Sequence, residues 1–187
     1  MTKKVEVKRK DTAYHGDRER KKKFLAEMRA HRKADSFLQK STGEFDKHGK
    51  FRGCGIACSV YSIRKLQKKA LPNAFTPRYR DDIGVYRHYE TERYLGISAQ
   101  MADAFEGIFE GLPVNEARDW PVQFAGALKV GTKPLFGWNE YDEFIRVYDA
   151  VIGLAEETPH LSRKGVRAQR DWLLDKLRRA KPVVDVR

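Results

Sequence analysis

At 187 residues and 21.7 kDa the chain suits one domain, and its 41% hydrophobic content supplies apolar material for one core and not for two. No apolar run approaches the roughly 18 residues of a membrane span, and Met1 opens a lysine-rich stretch unlike a signal peptide, so a soluble cytoplasmic protein with no membrane partner is expected. Two cysteines separated by three residues exclude a secreted disulfide framework.

The formal net charge is +12, but its distribution is more informative than its sum. Residues 1–80 hold 23 Lys and Arg against 8 Asp and Glu, a net of +15. Residues 81–160 hold 6 against 15, a net of −9, and residues 161–187 hold 9 against 3, a net of +6. Solubility alone does not require such segregation. A polyanion, or an acidic protein surface, explains it better.

Residues 1–16 lack periodic apolar spacing and carry Lys3, Lys4, Lys8, Arg9 and Lys10, which reads as a basic flexible tail. Residues 17–187 then form a single helical domain. Asp17 is placed to cap a long helix reaching about Lys40, with Phe24, Leu25, Met28 and Leu38 as its apolar stripe. Lys21, Lys22, Lys23, Arg29, Arg32 and Lys33 cover much of the remaining surface, the arrangement of a helix lying along phosphates. His31, Asp35 and Gln39 follow at i, i+4 and i+8 beside the apolar face, where buried polar groups need partners.

Gly43, Gly49 and Gly53 break the chain into turns over residues 41–53. A second helix is expected from Cys54 to Lys69, with Ile56, Val60, Ile63 and Leu66 inward and Lys65, Lys68 and Lys69 facing out as further phosphate contacts. Pro72 and Pro77 make residues 71–79 a linker. Tyr79, Tyr86, Tyr89 and Tyr94 alternate with Arg78, Arg80, Arg87, His88 and Arg93, a mixture that suits base stacking or a packed tyrosine surface. Further helices begin at Ser98, at Asn115 or Asp119, at Asn139 and at Ser162, and no strand alternation is convincing. The fold expected is all-α, a compact bundle of six or seven helices with a basic N-terminal arm.

Cys54 and Cys58 fall one helical turn apart, just after a glycine turn. Three readings follow. As a metal site they would join His31 around zinc, although a three-residue gap is off the usual ligand spacing. As a thiol enzyme, Cys58 or Cys54 at a helix N-terminus would attack, with His31 as base and Asp35 or Gln39 orienting it. As structure, they are small buried hydrophobes in a glycine-tight turn, and this is the preferred reading. No cofactor is therefore expected, with zinc the alternative. Glycine-rich phosphate loops, nucleophile elbows and zincin motifs are all missing from the sequence.

His31-Arg32, Ala34-Asp35, Gln39, Gly53-Cys54 and Ala57-Cys58 form one block of residues, and Tyr89-Glu90, Leu95-Gly96-Ile97, Ile108-Phe109-Glu110-Gly111-Leu112-Pro113 and Trp120-Pro121 a second. Over about residues 30–130 these blocks resemble a group of small uncharacterised bacterial and phage proteins, in which a histidine often stands at the position of Tyr61. The resemblance implies a phage or mobile-element setting and carries no activity. Together with the charge it leads to the main expectation, a nucleic-acid-associated binding protein in a bacterial host cell. The alternatives are the thiol or metal enzyme on His31, Asp35, Cys54 and Cys58, and an inhibitor that docks on an acidic host or phage protein.

Overall fold

Asp17 starts the first helix as its residue type favours: its carboxylate accepts from the Arg20 N–H at 3.0 Å, and α1 runs Arg18–Lys33. The computed structural model describes residues 11–69, 86–133, 137–152 and 162–187, without the side chains of 86–89, 138 and 152. The expected linker over 71–79, Tyr79, and the side chains of Tyr86 and Tyr89 thus lie outside the described residues, as does segment 1–10.

Helix α1 ends at Lys33 and not near Lys40. Ala34 N–H closes on Ala30 C=O, Asp35 takes a left-handed backbone with φ 52°, and Ser36 N–H returns to His31 C=O at 3.0 Å. Asp35 N–H reaches Arg32 C=O at 3.3 Å, completing a Schellman-type stop. Glycine or asparagine usually marks that position, so aspartate there gave the sequence little warning.

The chain then doubles back. Gly53 N–H donates to Ser36 C=O at 2.9 Å and Leu38 N–H to Gly53 C=O at 2.8 Å. Between them β1 (Glu44–Phe45) pairs antiparallel with β2 (Phe51–Arg52), and the Asp46 carboxylate closes the turn by accepting from His48 and Lys50 N–H. Strands of two residues are too short for alternation to be visible in sequence. The crossing is tight: a Cβ on Gly53 would meet the Ala57 Cβ at 2.8 Å and the Gly43 Cα at 2.9 Å.

Cys54 caps α2 (Gly55–Leu66), its thiol accepting from Ala57 N–H at 3.4 Å. Arg64 of α2 forms a bidentate pair with Glu90 of α3 (Tyr86–Leu95). Ser98 caps α4 (Ala99–Gly111), whose Met101, Phe105, Ile108 and Phe109 are buried as the spacing required. A single turn α5 (Val114–Ala117) leads to α6 (Trp120–Ala127), with Pro121 in its first turn. Helix α7 (Trp138–Ile152) buries Phe144 and Tyr148 but leaves Ile145 and Val151 exposed, and Ser162 caps α8 (Arg163–Arg179).

Seven helices longer than one turn and the small hairpin make an all-α bundle among the described residues. Helix α4 is its axis, touching α2, α3, α5, α6, α7 and α8. Helix α1 packs on α2 and α6, while α7 packs on α8. No helix among the described residues is long and apolar enough to cross a membrane.

Residues 11–16 correct the expected tail. They form a 3₁₀ turn (Ala13–Gly16) in which Ala13, Tyr14 and Gly16 are buried. Tyr14 Oη donates to Ala125 C=O at 2.9 Å, and Ala13 exchanges backbone hydrogen bonds with Gly131 and Thr132. One buried tyrosine and one alanine anchor the segment, too few for a periodicity to appear. Gly96, at φ +66°, lies beneath it, and a Cβ there would stand 2.1 Å from Thr12 O. Gly96→Ala should lower stability by about 2 kcal/mol or more in urea unfolding, whereas Gly107→Ala, facing open space in α4, should raise it by about 0.5–1 kcal/mol. An unchanged midpoint for Gly96→Ala would show that 11–16 is not docked there.

Candidate nucleic-acid interface

The 3.6-residue period places Arg18, Lys22, Ala26, Arg29 and Lys33 in one stripe along α1, and all five are exposed. Lys23 flanks it. Glu19 is the one exposed acid of the helix, and it meets Lys22 at 3.7 Å with both side chains more than 60% open to solvent. Such a pair is worth little. Lys23, Arg29 and Lys33 have no ion-pair partner among the described residues. From Arg18 to Lys33 the stripe spans about 22 Å, or about six phosphates at the axial rise of one nucleic-acid strand.

Other expected phosphate contacts have internal work. Lys21 Nζ donates to Gly126 and Leu128 C=O at 2.7 and 2.8 Å, capping α6, and burial and nearby Lys129 lower its pKa. Lys65 binds Glu27 at 2.9 Å and ties α2 to α1. Arg32 donates to Asp119. Lys68 and Lys69 are exposed beyond the end of α2. The sequence stripe therefore divides into Lys22, Lys23, Arg29 and Lys33, open to solvent, and Lys21, Arg32 and Lys65, engaged within the fold.

Sequence reasoning missed two arginines at the foot of α1. Asp35, thrown outward by its left-handed backbone, forms an ion pair with Arg118 at 3.1 Å and faces Arg52 at 4.0 Å. The Nε atoms of Arg52 and Arg118 are buried and have no hydrogen-bond partner among the described residues. Arg118 and Asp119 are neighbours, so the Arg32–Asp119 pair joins this group to α1. A crevice of 340 Å³ between α1 and α6, lined by Arg29, Arg32, Lys33 and Asp119, continues it. Five cations surround two carboxylates here. Arg52 and Arg118 stand 66 positions apart in the sequence, beyond the reach of any local pattern.

The other basic helix differs. On α8, Arg167 and Arg170 bind Glu116, Lys176 binds Glu143, and Arg179 binds Asp175. Arg167, Arg170 and Lys176 thus meet carboxylates from the acidic middle of the chain, and Arg179 meets one from α8 itself.

The cysteine–histidine residues lie in the core. His31 is 7% exposed; its Nε2 pairs with Ser62 Oγ at 2.9 Å, and its ring meets Phe37 and Tyr61. The Cys58 thiol points at the carbonyls of Gly53 (3.5 Å) and Ser36 (3.7 Å). Burial pushes both thiols up, opposite to what a nucleophile needs. Asp35 is outside with the arginines, and Gln39 Nε2 donates to Phe109, Glu110 and Leu112 C=O, capping α4. The ligand atoms of Cys54, Cys58 and His31 do not gather; among the described residues those within 4.8 Å of one another belong to Cys54, Glu106 and Glu110. There Glu106 accepts from Ile56 N–H at the α2 N-terminus and Glu110 from Lys40 N–H, so both carboxylates join backbone segments. Burial raises the pKa of Glu110.

Comparison with protein-family models, curated proteins and solved structures finds no match to this chain.

Burial, aided by Lys65 and Lys50 against Glu27, lowers the His31 pKa from 6.5 to about 4. Neutral His31 thus stabilises the fold fully above pH 6.5, and that contribution drains as pH falls towards 4, because only the unfolded chain takes the proton. Between pH 7 and 5 the wild type should lose about 2 kcal/mol more than His31→Gln in urea unfolding; parallel pH profiles would contradict this. At neutral pH, Cys54 and Cys58 should react with a thiol reagent at least roughly a hundredfold more slowly folded than in urea. Rapid labelling of the native protein would revive a reactive thiol.

Proposed function

We propose that the chain binds nucleic acid through its phosphates, with the solvent face of α1 along the backbone. One observation carries this reading: Lys23, Arg29 and Lys33 have no ion-pair partner among the described residues, on a helix whose one exposed acid is Glu19, whereas Arg167, Arg170, Lys176 and Arg179 of α8 each contact a carboxylate. Aligned uncompensated cations raise the folded state's self-repulsion, and a polyanion relieves it. Phosphate contacts of this type give affinity and carry no sequence information. Binding, not chemistry, is the activity proposed, since burial raises the pKa of both thiols and seals His31 in the core. The resemblance to bacterial and phage proteins supports a mobile-element setting in the cytoplasm of a bacterial host.

With about six phosphates neutralised, log affinity should fall against log salt with a slope of about −5. Lys23→Gln, Arg29→Gln and Lys33→Gln combined should reduce that slope to about −2 or −3, at about 0.9 per lost contact. The α8 pair Lys164→Gln and Arg178→Gln should leave it nearly unchanged. A flat salt response would exclude the proposal, and an unaltered slope in the triple variant would remove α1 from it.

A further inference from the structure

We propose that Arg52 and Arg118 form a phosphate clamp that the Asp35 carboxylate occupies in the free protein, and that a nucleic-acid phosphate displaces it. The inference rests on the nucleic-acid reading and adds to it a defined subsite with its own internal competitor.

The geometry is that of a loosely filled anion site. Two guanidinium groups converge on one carboxylate, from the hairpin strand β2 and from the α5–α6 junction. Only the Arg118 contact, at 3.1 Å, has hydrogen-bond length; Arg52 stands off at 4.0 Å. Both Nε–H groups have no acceptor among the described residues, so each arginine retains donors that one carboxylate does not use. A phosphodiester shares one negative charge over two non-bridging oxygens and adds ester oxygens as further acceptors, and planar guanidinium forks match such a group.

Asp35 is suited to leave. Its side chain is 50% exposed, so releasing it strands no buried charge. Its position is fixed by the left-handed stop of α1, which does not depend on the carboxylate. Lys33, two residues earlier, and Arg32, paired with neighbouring Asp119, make the clamp the continuation of the α1 stripe. A strand leaving the helix at its C-terminal end would therefore meet Arg52 and Arg118 next.

The clamp predicts that removing an acidic residue matters through one arginine. Asn tolerates the left-handed conformation at least as well as Asp, so Asp35→Asn keeps the fold. Fluorescence anisotropy with short oligonucleotides of single-stranded DNA, duplex DNA and RNA provides the measurement, each arm identifying its own phosphate source. Asp35→Asn should tighten binding about fivefold at low salt, the order of one competing surface charge. Arg118→Gln and Arg52→Gln should each weaken binding and reduce the salt slope by about one. In an Arg118→Gln background, Asp35→Asn should gain little, whereas a general charge effect would give the same gain in both backgrounds. Asp175→Asn on α8 is the charge-matched control and should leave affinity unchanged.

An Asp35→Asn gain equal in both backgrounds, or no gain at all, overturns the clamp. If the α1 triple variant still loses affinity in that case, the nucleic-acid reading stands without it. No wild-type binding to any of the three oligonucleotides overturns both, as does binding to polyglutamate in their place.

Discussion

The close approach of backbone at Gly53 determines where the charges of this protein end up. A Cβ on Gly53 would stand 2.9 Å from the Gly43 Cα, so only glycine fits, and its N–H and C=O reach Ser36 and Leu38. That contact draws β2 under the segment leaving α1. Arg52, one residue before Gly53, is thereby set opposite Asp35. The same crossing places Cys54 at the cap of α2 and closes the Cys58 thiol against two carbonyls. The glycines beside Cys54 are explained by packing: a Cβ on Gly53 would press on Ala57 and the Gly43 backbone, and one on Gly55 on the Phe105 ring. The chemistry suggested by two cysteines and a histidine gives way to a joint that positions arginines.

Electrostatics then distinguish two helices that look alike in composition. Both α1 and α8 are rich in Lys and Arg. Folding brings Glu116 and Glu143 from the acidic middle of the chain onto α8, where Arg167, Arg170 and Lys176 acquire partners. On α1 the acids are used differently. Glu27 binds Lys65 across to α2, Asp119 takes Arg32, and Lys21 turns inward to the carbonyls ending α6. What is left over is aligned: Lys22, Arg29 and Lys33 on one stripe, with Lys23 beside it. Exposed pairs contribute little to stability in either case. Their consequence is the shape of the remaining field.

Much of the fold was legible because its signals were local. Asp17, Ser98 and Ser162 each cap the helix they precede, and the apolar spacing of Met101, Phe105, Ile108 and Phe109 matches the buried face of α4. The failures were places where distant contacts decided. The stop of α1 rests on an aspartate in a glycine-like position, and the hairpin rests on strands of two residues. Tyr14 is buried by α6 and by the turn that follows it, which no local pattern could announce. The site was half legible: the α1 cations could be seen as a stripe, but which of them were already engaged required the positions of Glu27, Asp119 and the end of α6. Arg52 and Arg118 carried no signal at all, since their association depends on the chain crossing itself at Gly53.

The central claim is that the surface from α1 to the Arg52–Arg118 pair is where a polyanion rests. Chemical footprinting of lysines and arginines, read by mass spectrometry with and without a saturating oligonucleotide, tests it residue by residue. Protection concentrated on Lys22, Lys23, Arg29, Lys33, Arg52 and Arg118, with Lys164 and Arg178 of α8 still labelled, is the predicted result. Protection of α8 with α1 fully reactive, or no change at either, would contradict it.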